Sequence, residues 1–179
     1  MKIIHVKKTT STMDLAKEYQ KKGFPQGTVI VAQAQSMGRG QRHKKWVSPK
    51  GGLYFSVIIR PNIGPGDVPK ILLAALMAIT TVLKDNYKLN ASIKWPNDIH
   101  LEGKKISGAL MESEIKRNKV ESVILGAGIN VNITKNQLAN VDIKCTSMYI
   151  ELKKRILIKG LLKSILKQFF LNYRSIDAK

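Results

Sequence analysis

Cysteine is nearly missing from this chain. Cys145 is the only one in 179 residues, so no intramolecular disulfide forms and no thiolate cluster is available for zinc. The three histidines, His5, His43 and His100, show no pairing at helical metal-ligand spacing. Aromatic residues are scarce at 6%, too few to interleave with the basic residues as a nucleic-acid stacking surface requires. Acidic residues are scarce as well: 12 stand against 31 lysines and arginines, a net charge of +19. That surplus fits an acidic partner and a solvated lysine surface equally well. No apolar run reaches membrane-spanning length, since the best, residues 71–83, is broken by threonines and stops at Lys84. The start, MKIIHVKKTTSTMD, turns charged too early for a signal peptide. The expectation is a soluble cytoplasmic protein with no membrane partner.

With 44% apolar residues the chain can bury a core, and it reads as one domain over residues 1–179. TTSTMDLAKEYQKKG carries a helix-entry signature, with Ser11 and Asp14 spaced as a capping box and Gly23 as the stop. Residues 27–35 alternate as a strand, and GLYFSVIIRP is a second strand. Residues 68–87 predict a buried helix, followed by short strands at ASIKW, DIHL, KKISGALME and VESVILGAGINV. The EGKK between two of them predicts a hairpin. LKKRILIKGLLKSILKQFFLNY predicts one closing amphipathic helix. The class is α+β, a mixed sheet with packed helices.

Several familiar motifs fail. GRGQRH and GAGINV end in His43 and Val131 where a dinucleotide fingerprint needs its last glycine, and neither opens a helix after a strand. There is no P-loop and no G-x-S-x-G elbow, and the S-x-x-K tetrads at Ser113 and Ser164 lack their companions.

Three stretches remain. QSMGRGQRHKKWVSP (35–49) combines glycines that admit close backbone approach, arginines suited to oxyanions and the stacking face of Trp46. A solvated surface loop explains it about as well when it stands alone. In IKWPND, Pro96 ends the strand ladder and leaves Lys94 and Asp98 at a strand end, as a fixed cation for a phosphate or carboxylate or as a structural pair. In ILGAGINVN, Gly126 and Gly128 remove side chains where something approaches, either a ligand or a packed helix, and Asn130 offers an amide to an adenine edge or to a turn.

Taken in order, STM, GRG…KW.SP.GGLYFS, KWPND, K.SG.L.E and GAGINVN strongly resemble the catalytic domain of biotin–protein ligases, from about Thr9 to Asn132, with a weaker echo in CTSMYI and the last helix. The resemblance implies the fold shared with class II aminoacyl-tRNA synthetases and biotin synthetases. It implies an enzyme that joins biotin to ATP as biotinyl-5'-AMP, with Mg2+, and transfers the biotin to a lysine of a biotin carboxyl carrier domain of a biotin-dependent carboxylase. It assigns Lys94, Arg39 and Asp98 to the chemistry, with Asp98 orienting Lys94 or meeting a metal. Biotin falls to Ser11, Thr12, Gln35, Gly38, Arg39, Lys94 and Gly108. The nucleotide falls to Gly40, Arg42, Trp46, Asn97, Gly128 and Asn130, with no metal-ligand set in the chain itself.

Family members usually add a small C-terminal barrel, and some an N-terminal DNA-binding winged helix. Neither is seen in this sequence, so specific DNA binding is not expected, while a homodimer is compatible with it. The rivals are a lipoate or octanoate ligase or transferase of the same superfamily, whose Arg-Arg-x-Ser-Gly-Gly-Gly type of loop is missing here, and a non-enzymatic nucleic-acid-binding module. Two positions depart from the family pattern: Met13 follows Ser-Thr where Asn is frequent, and Gln41 stands where many members have an arginine that retains the adenylate. A Gln41→Arg variant is therefore expected to release less free biotinyl-adenylate than the natural chain. Equal release, measured by chromatography of the reaction supernatant, contradicts this.

Overall fold

The computed structural model describes residues 1–177. Its seven strands form one mixed sheet in the order β1-β2-β3-β7-β6-β5-β4. They are β1 (Ile3–Val6), β2 (Val29–Ala32), β3 (Leu53–Ile59), β4 (Ser92–Lys94), β5 (Asp98–Leu101), β6 (Lys104–Lys116) and β7 (Lys119–Ile129). β1 pairs with β2 in parallel and every other pairing is antiparallel. The α+β expectation holds.

The two faces of the sheet follow from alternation along the strands. On β7, Val123, Leu125, Ala127 and Ile129 enter the main core, beneath α2 (Val68–Tyr87) and α5 (Ile158–Asp177). The alternate residues Ile124, Gly126 and Gly128 face the other side, where α1 (Thr12–Lys21) and the 35–50 segment lie. A small second cluster forms there from Met13, Ala16, Ile30, Ile58 and Ile124.

Helix α2 has the predicted bounds and ends on a left-handed Lys88. With the turn before it, Pro65–Tyr87 is long and apolar enough to cross a bilayer, at mean hydropathy 1.6, contrary to the sequence expectation; half of it is buried within the fold. Helix α1 starts at Ser11 as expected, but Ser11 Oγ accepts from Met13 N at 3.2 Å and no reciprocal bond from Asp14 completes a box. The complete capping box belongs instead to the short α3 (Lys135–Leu138), between Thr134 and Gln137. The predicted hairpin is present: Glu102 and Gly103 both have positive φ between Leu101 and Lys104, as a two-residue hairpin turn requires. Its unexpected counterpart joins β6 to β7 through Arg117 and Asn118, again both at positive φ. The closing helix read over residues 152–173 starts later than expected. The five-residue α4 (Met148–Leu152) stops at a left-handed Lys153, and α5 begins after residues 153–157. Asn132 forces that break by bonding both polar backbone groups of Ile156, at 2.9 and 2.8 Å.

Gly126 is demanded by α1, because a Cβ there would stand 2.7 Å from Met13 Cγ and Sδ. Gly126→Ala is expected to destabilise the protein by about 1–3 kcal/mol through overpacking. Denaturant unfolding should show Met13→Ala recovering part of that loss in the same chain; an unperturbed midpoint for Gly126→Ala contradicts the packing account.

Candidate functional site

The register of the sheet sets motifs that are far apart in sequence side by side. Lys94 pairs with Asp98, Asp98 with Gly108, Gly108 with Gly128 and Gly128 with Tyr54. Residues directly opposite each other share a face. One lateral row therefore carries the ends of KWPND, K.SG and GAG on the α1 side. Two glycines at its centre leave the floor bare.

The indole of Trp46 covers that floor. A Cβ on Gly128 would come within 2.4 Å of Trp46 Nε1, and one on Gly108 within 3.2 Å of its Cζ3. Trp46 Nε1 is buried with no hydrogen-bond partner, and the ammonium of Lys105 stands 5.2 Å from the ring centroid. The close approach expected at the GAG glycines thus has two causes. At Gly126 it is helix packing by Met13, and at Gly128 it is the aromatic ring of the basic loop.

That loop is a small folded hairpin and not the loose segment its composition suggests. Trp46 N donates to Gly38 O at 2.8 Å, Gly40 N donates to Lys44 O at 2.7 Å, and Arg39 bridges Lys45. The tip, Gln41–His43, is one short turn with Arg42 in the left-handed region at φ 51°. Gly38 tolerates no side chain, since a Cβ would lie 2.4 Å from Trp46 O and 2.6 Å from Ser48 Oγ.

Beside the hairpin lies a buried polar chain. Thr12 N donates to Gln35 Oε1 at 2.7 Å, Gln35 Nε2 to Ser48 Oγ at 2.9 Å, and Ser48 Oγ to Trp46 O at 3.0 Å. Ser56 Oγ donates to Thr12 Oγ1 at 2.8 Å. Ser11, Thr12, Ser48 and Ser56 are all buried. The structure brings Ser11, Thr12 and Gln35 together and adds Ser48 and Ser56. Ser56 was legible only as a polar residue at an alternate position of an apolar strand.

The charges differ from expectation. Although Asp98 is Lys94's strand partner, their side chains form no ion pair; Asp98 Oδ1 lies 2.6 Å from Lys105 Nζ, close but not aligned as a hydrogen bond. Lys94 is exposed and has no ion pair among the described residues. Lys105, largely buried with its side chain 15% exposed, is the inner cation that the sequence reading passed over, although K.SG quotes it. Arg39 does not reach into the row either: its Nη1 meets Glu112 at 2.8 Å and its Nη2 approaches Asp14 at 3.0 Å. Asn97 Nδ2 donates to Ala109 O and Asn130 Nδ2 to Thr146 O, both at 2.9 Å, so each amide already pins a neighbouring segment. Burial raises the pKa of the Tyr54 phenol, which donates to Pro49 O, and of the Cys145 thiol, which sits beside the Lys105 backbone. Two surface cavities of about 460 and 470 Å³ lie at the opposite end of the sheet, around Phe170 and around Arg60, away from these motifs.

The sequence model of the biotin/lipoate A/B protein ligase family matches residues 5–130. The chain belongs to that family. It is 36% identical over 168 residues to the bifunctional ligase/repressor BirA of Bacillus subtilis, covering 92% of this chain and 51% of that protein. Against the biotin–[acetyl-CoA-carboxylase] ligase of Paracoccus denitrificans the identity is 33% over 104 residues, covering 57% of this chain and 43% of that one. The chain spans about half the length of the curated relatives it matches. Among solved structures, the biotin protein ligase of Aquifex aeolicus in complex with biotin and ATP superposes with a TM-score of 0.81 at 30% identity, covering 99% of this chain and 72% of that one. The mixed sheet and its helices are the family's catalytic fold.

Replacing Gly128 by Ala is expected to lift the Trp46 indole off the sheet. In a Trp95→Phe background, where Trp46 is the sole tryptophan, its fluorescence should shift to longer wavelength. An unshifted spectrum contradicts the packing of the ring on Gly128.

Proposed function

We propose that this chain activates biotin with ATP to biotinyl-5'-AMP and passes the biotin to a lysine of a biotin carboxyl carrier domain. The observation that carries the reading is the row itself: a bare glycine floor under an aromatic ring, with Lys105 above it and Lys94 at its end. The names of the relatives support biotin over lipoate.

In the first step an oxygen of the biotin carboxylate attacks the α-phosphorus, and the bond to the β-phosphate bridging oxygen breaks to release pyrophosphate. Two anions have to meet. At about 4 Å and an effective dielectric near 20 a pair of like unit charges costs roughly 4 kcal/mol, so fixed cations decide the rate. Lys105 would meet the carboxylate and α-phosphate and Lys94 the outer phosphates, with Arg42 at the hairpin tip; the buried position of Lys105 and the exposed one of Lys94 support this division. An incoming anion competes with Asp98 for Lys105. That frees a carboxylate whose Oδ1 has no aligned hydrogen bond in the structure.

The residues present fit Mg2+ carried on the nucleotide. No group of three or more His, Cys, Asp or Glu stands ready as a cage among the described residues, and Mg2+ commonly takes one or two carboxylates plus substrate phosphates. Asp98 is the residue that would hold it, and the ion would supply neutralisation of phosphate charge.

The buried chain through Thr12, Gln35, Ser48 and Ser56 suits the ureido ring of biotin, whose donors and acceptor need partners when buried. Adenine belongs on the outer face of the Trp46 indole, which itself covers Gly108 and Gly128. In the second step the acceptor amine attacks the anhydride carbonyl, AMP leaves, and the amine loses its proton to solvent. The expected partner is the carrier domain. A homodimer, a cytoplasmic location and the lack of specific DNA binding complete the proposal.

Lys105→Ala is expected to lower biotin transfer to a carrier-domain lysine by about 100- to 1,000-fold, the size typical for removing one transition-state donor. A lower thermal midpoint should accompany it, because Asp98 Oδ1 is buried and loses the cation beside it, so transfer is compared at a temperature where both proteins are fully folded. Transfer reduced less than threefold contradicts the role of Lys105.

A further inference from the structure

Two acidic residues near the site have no part in the chemistry above. Glu112 closes the K.SG.L.E motif on β6, and Asp14 lies in the first turn of α1. Both point at one guanidinium. Arg39 Nη1 is 2.8 Å from Glu112 Oε1; Arg39 Nη2 is 3.0 Å from Asp14 Oδ1, close in charge but not aligned as a hydrogen bond; and Lys17 Nζ stands 3.8 Å from Glu112 Oε2. Two carboxylates on two different elements thus grip one arginine, and Lys17 balances the group to neutrality.

The position of Arg39 in the hairpin gives this grip its consequence. Arg39 sits between Gly38, whose carbonyl accepts from Trp46 N, and Gly40, whose N–H donates to Lys44 O. Its backbone bridges Lys45 on the opposite limb. Holding Arg39 down therefore holds the far limb too, and with it the indole lying on Gly128. Releasing Arg39 leaves the hairpin held by the bonds of Gln35, Ser36 and Met37 at its base, by Ser48 Oγ to Trp46 O and by the indole on Gly128.

We propose that Asp14 and Glu112 are positioning residues that fasten the 38–46 hairpin over the site by clamping Arg39, and that this clamp retains the reactive adenylate until the acceptor lysine arrives. The retention half rests on the proposed ligase function; the fastening half does not. Arg39 serves on this account as the tether of the loop, and the phosphate cations are Lys105 and Lys94. Shielding a hydrolysable anhydride from water is the physical gain.

The experiment separates the two halves. Without biotin or ATP, limited trypsin digestion reads local opening of the hairpin, since Arg39, Arg42, Lys44 and Lys45 all lie in it. Glu112→Gln, Asp14→Asn and Arg39→Ala are each expected to speed cleavage after Arg42, Lys44 and Lys45, the sites all these variants share, by about 3- to 10-fold, the scale of a partly exposed ion pair. Cleavage at Arg60 and in α5 should not change. A parent-like rate in the hairpin, or equal acceleration at every site, overturns the clamp.

With biotin and ATP, the same variants should release free adenylate faster by a similar factor, with a smaller change in pyrophosphate exchange. The Arg39→Ala/Glu112→Gln double variant should lose no more than Arg39→Ala alone, because both act through one contact. Multiplied losses would mean that Glu112 touches the ligand itself, which also overturns the proposal. Should the natural chain show no exchange at all, the ligase reading fails while the trypsin result still decides the clamp.

Discussion

Bare backbone at the centre of one sheet face is the constraint on which the rest of this molecule depends. Gly108 and Gly128 are paired neighbours on β6 and β7, and between them they leave room for an indole to pack against the strands. The Trp46 ring in turn fixes where the basic hairpin comes to rest, because its backbone N–H and C=O bind Gly38 and Ser48. Ser48 then bonds Gln35, and Gln35 bonds the first turn of α1. A side chain at Gly128 would dislodge the ring and undo the chain link by link. The opposite face is packed by α2 and α5 in the main core, while the face that carries the row is covered by a much smaller cluster.

Electrostatics on that face is arranged in compensated pairs within a protein of net charge +19. Lys105 answers Asp98, and Arg39 answers Glu112 and Asp14. Burying an ammonium without a partner is costly, and pairing removes most of that cost. On the proposed function, an incoming carboxylate or phosphate would exchange places with Asp98 at Lys105. Lys94 differs: it is solvated and keeps its charge available at the rim.

The sequence made much of this legible, for identifiable reasons. Helix α2 was readable to the residue because a 20-residue apolar segment lies between a proline-glycine turn and a polar stop. The strand end at Lys94–Asp98 followed from Pro96, and the α+β class from alternating strands beside long helices. Other features depend on distant partners and were hidden. The break between α4 and α5 comes from the Asn132 side chain reaching 24 residues ahead, against a lysine-rich amphipathic pattern that runs straight through. The partner of Asp98 could not be read because Lys94 and Lys105 are neighbours of it on different strands, and only side-chain direction selects the second. Likewise, a glycine-rich basic loop suggests mobility, whereas two glycines here permit a tight hairpin that no other residue type would allow at Gly38.

The central claim is that the row from Lys94 to Gly128 activates biotin with ATP. Biotin-dependent exchange of labelled pyrophosphate into ATP, run beside lipoate and octanoate, tests it most directly. The account predicts exchange with biotin and none with the other two acids. Exchange driven by lipoate, or no exchange with any of the three, would contradict it.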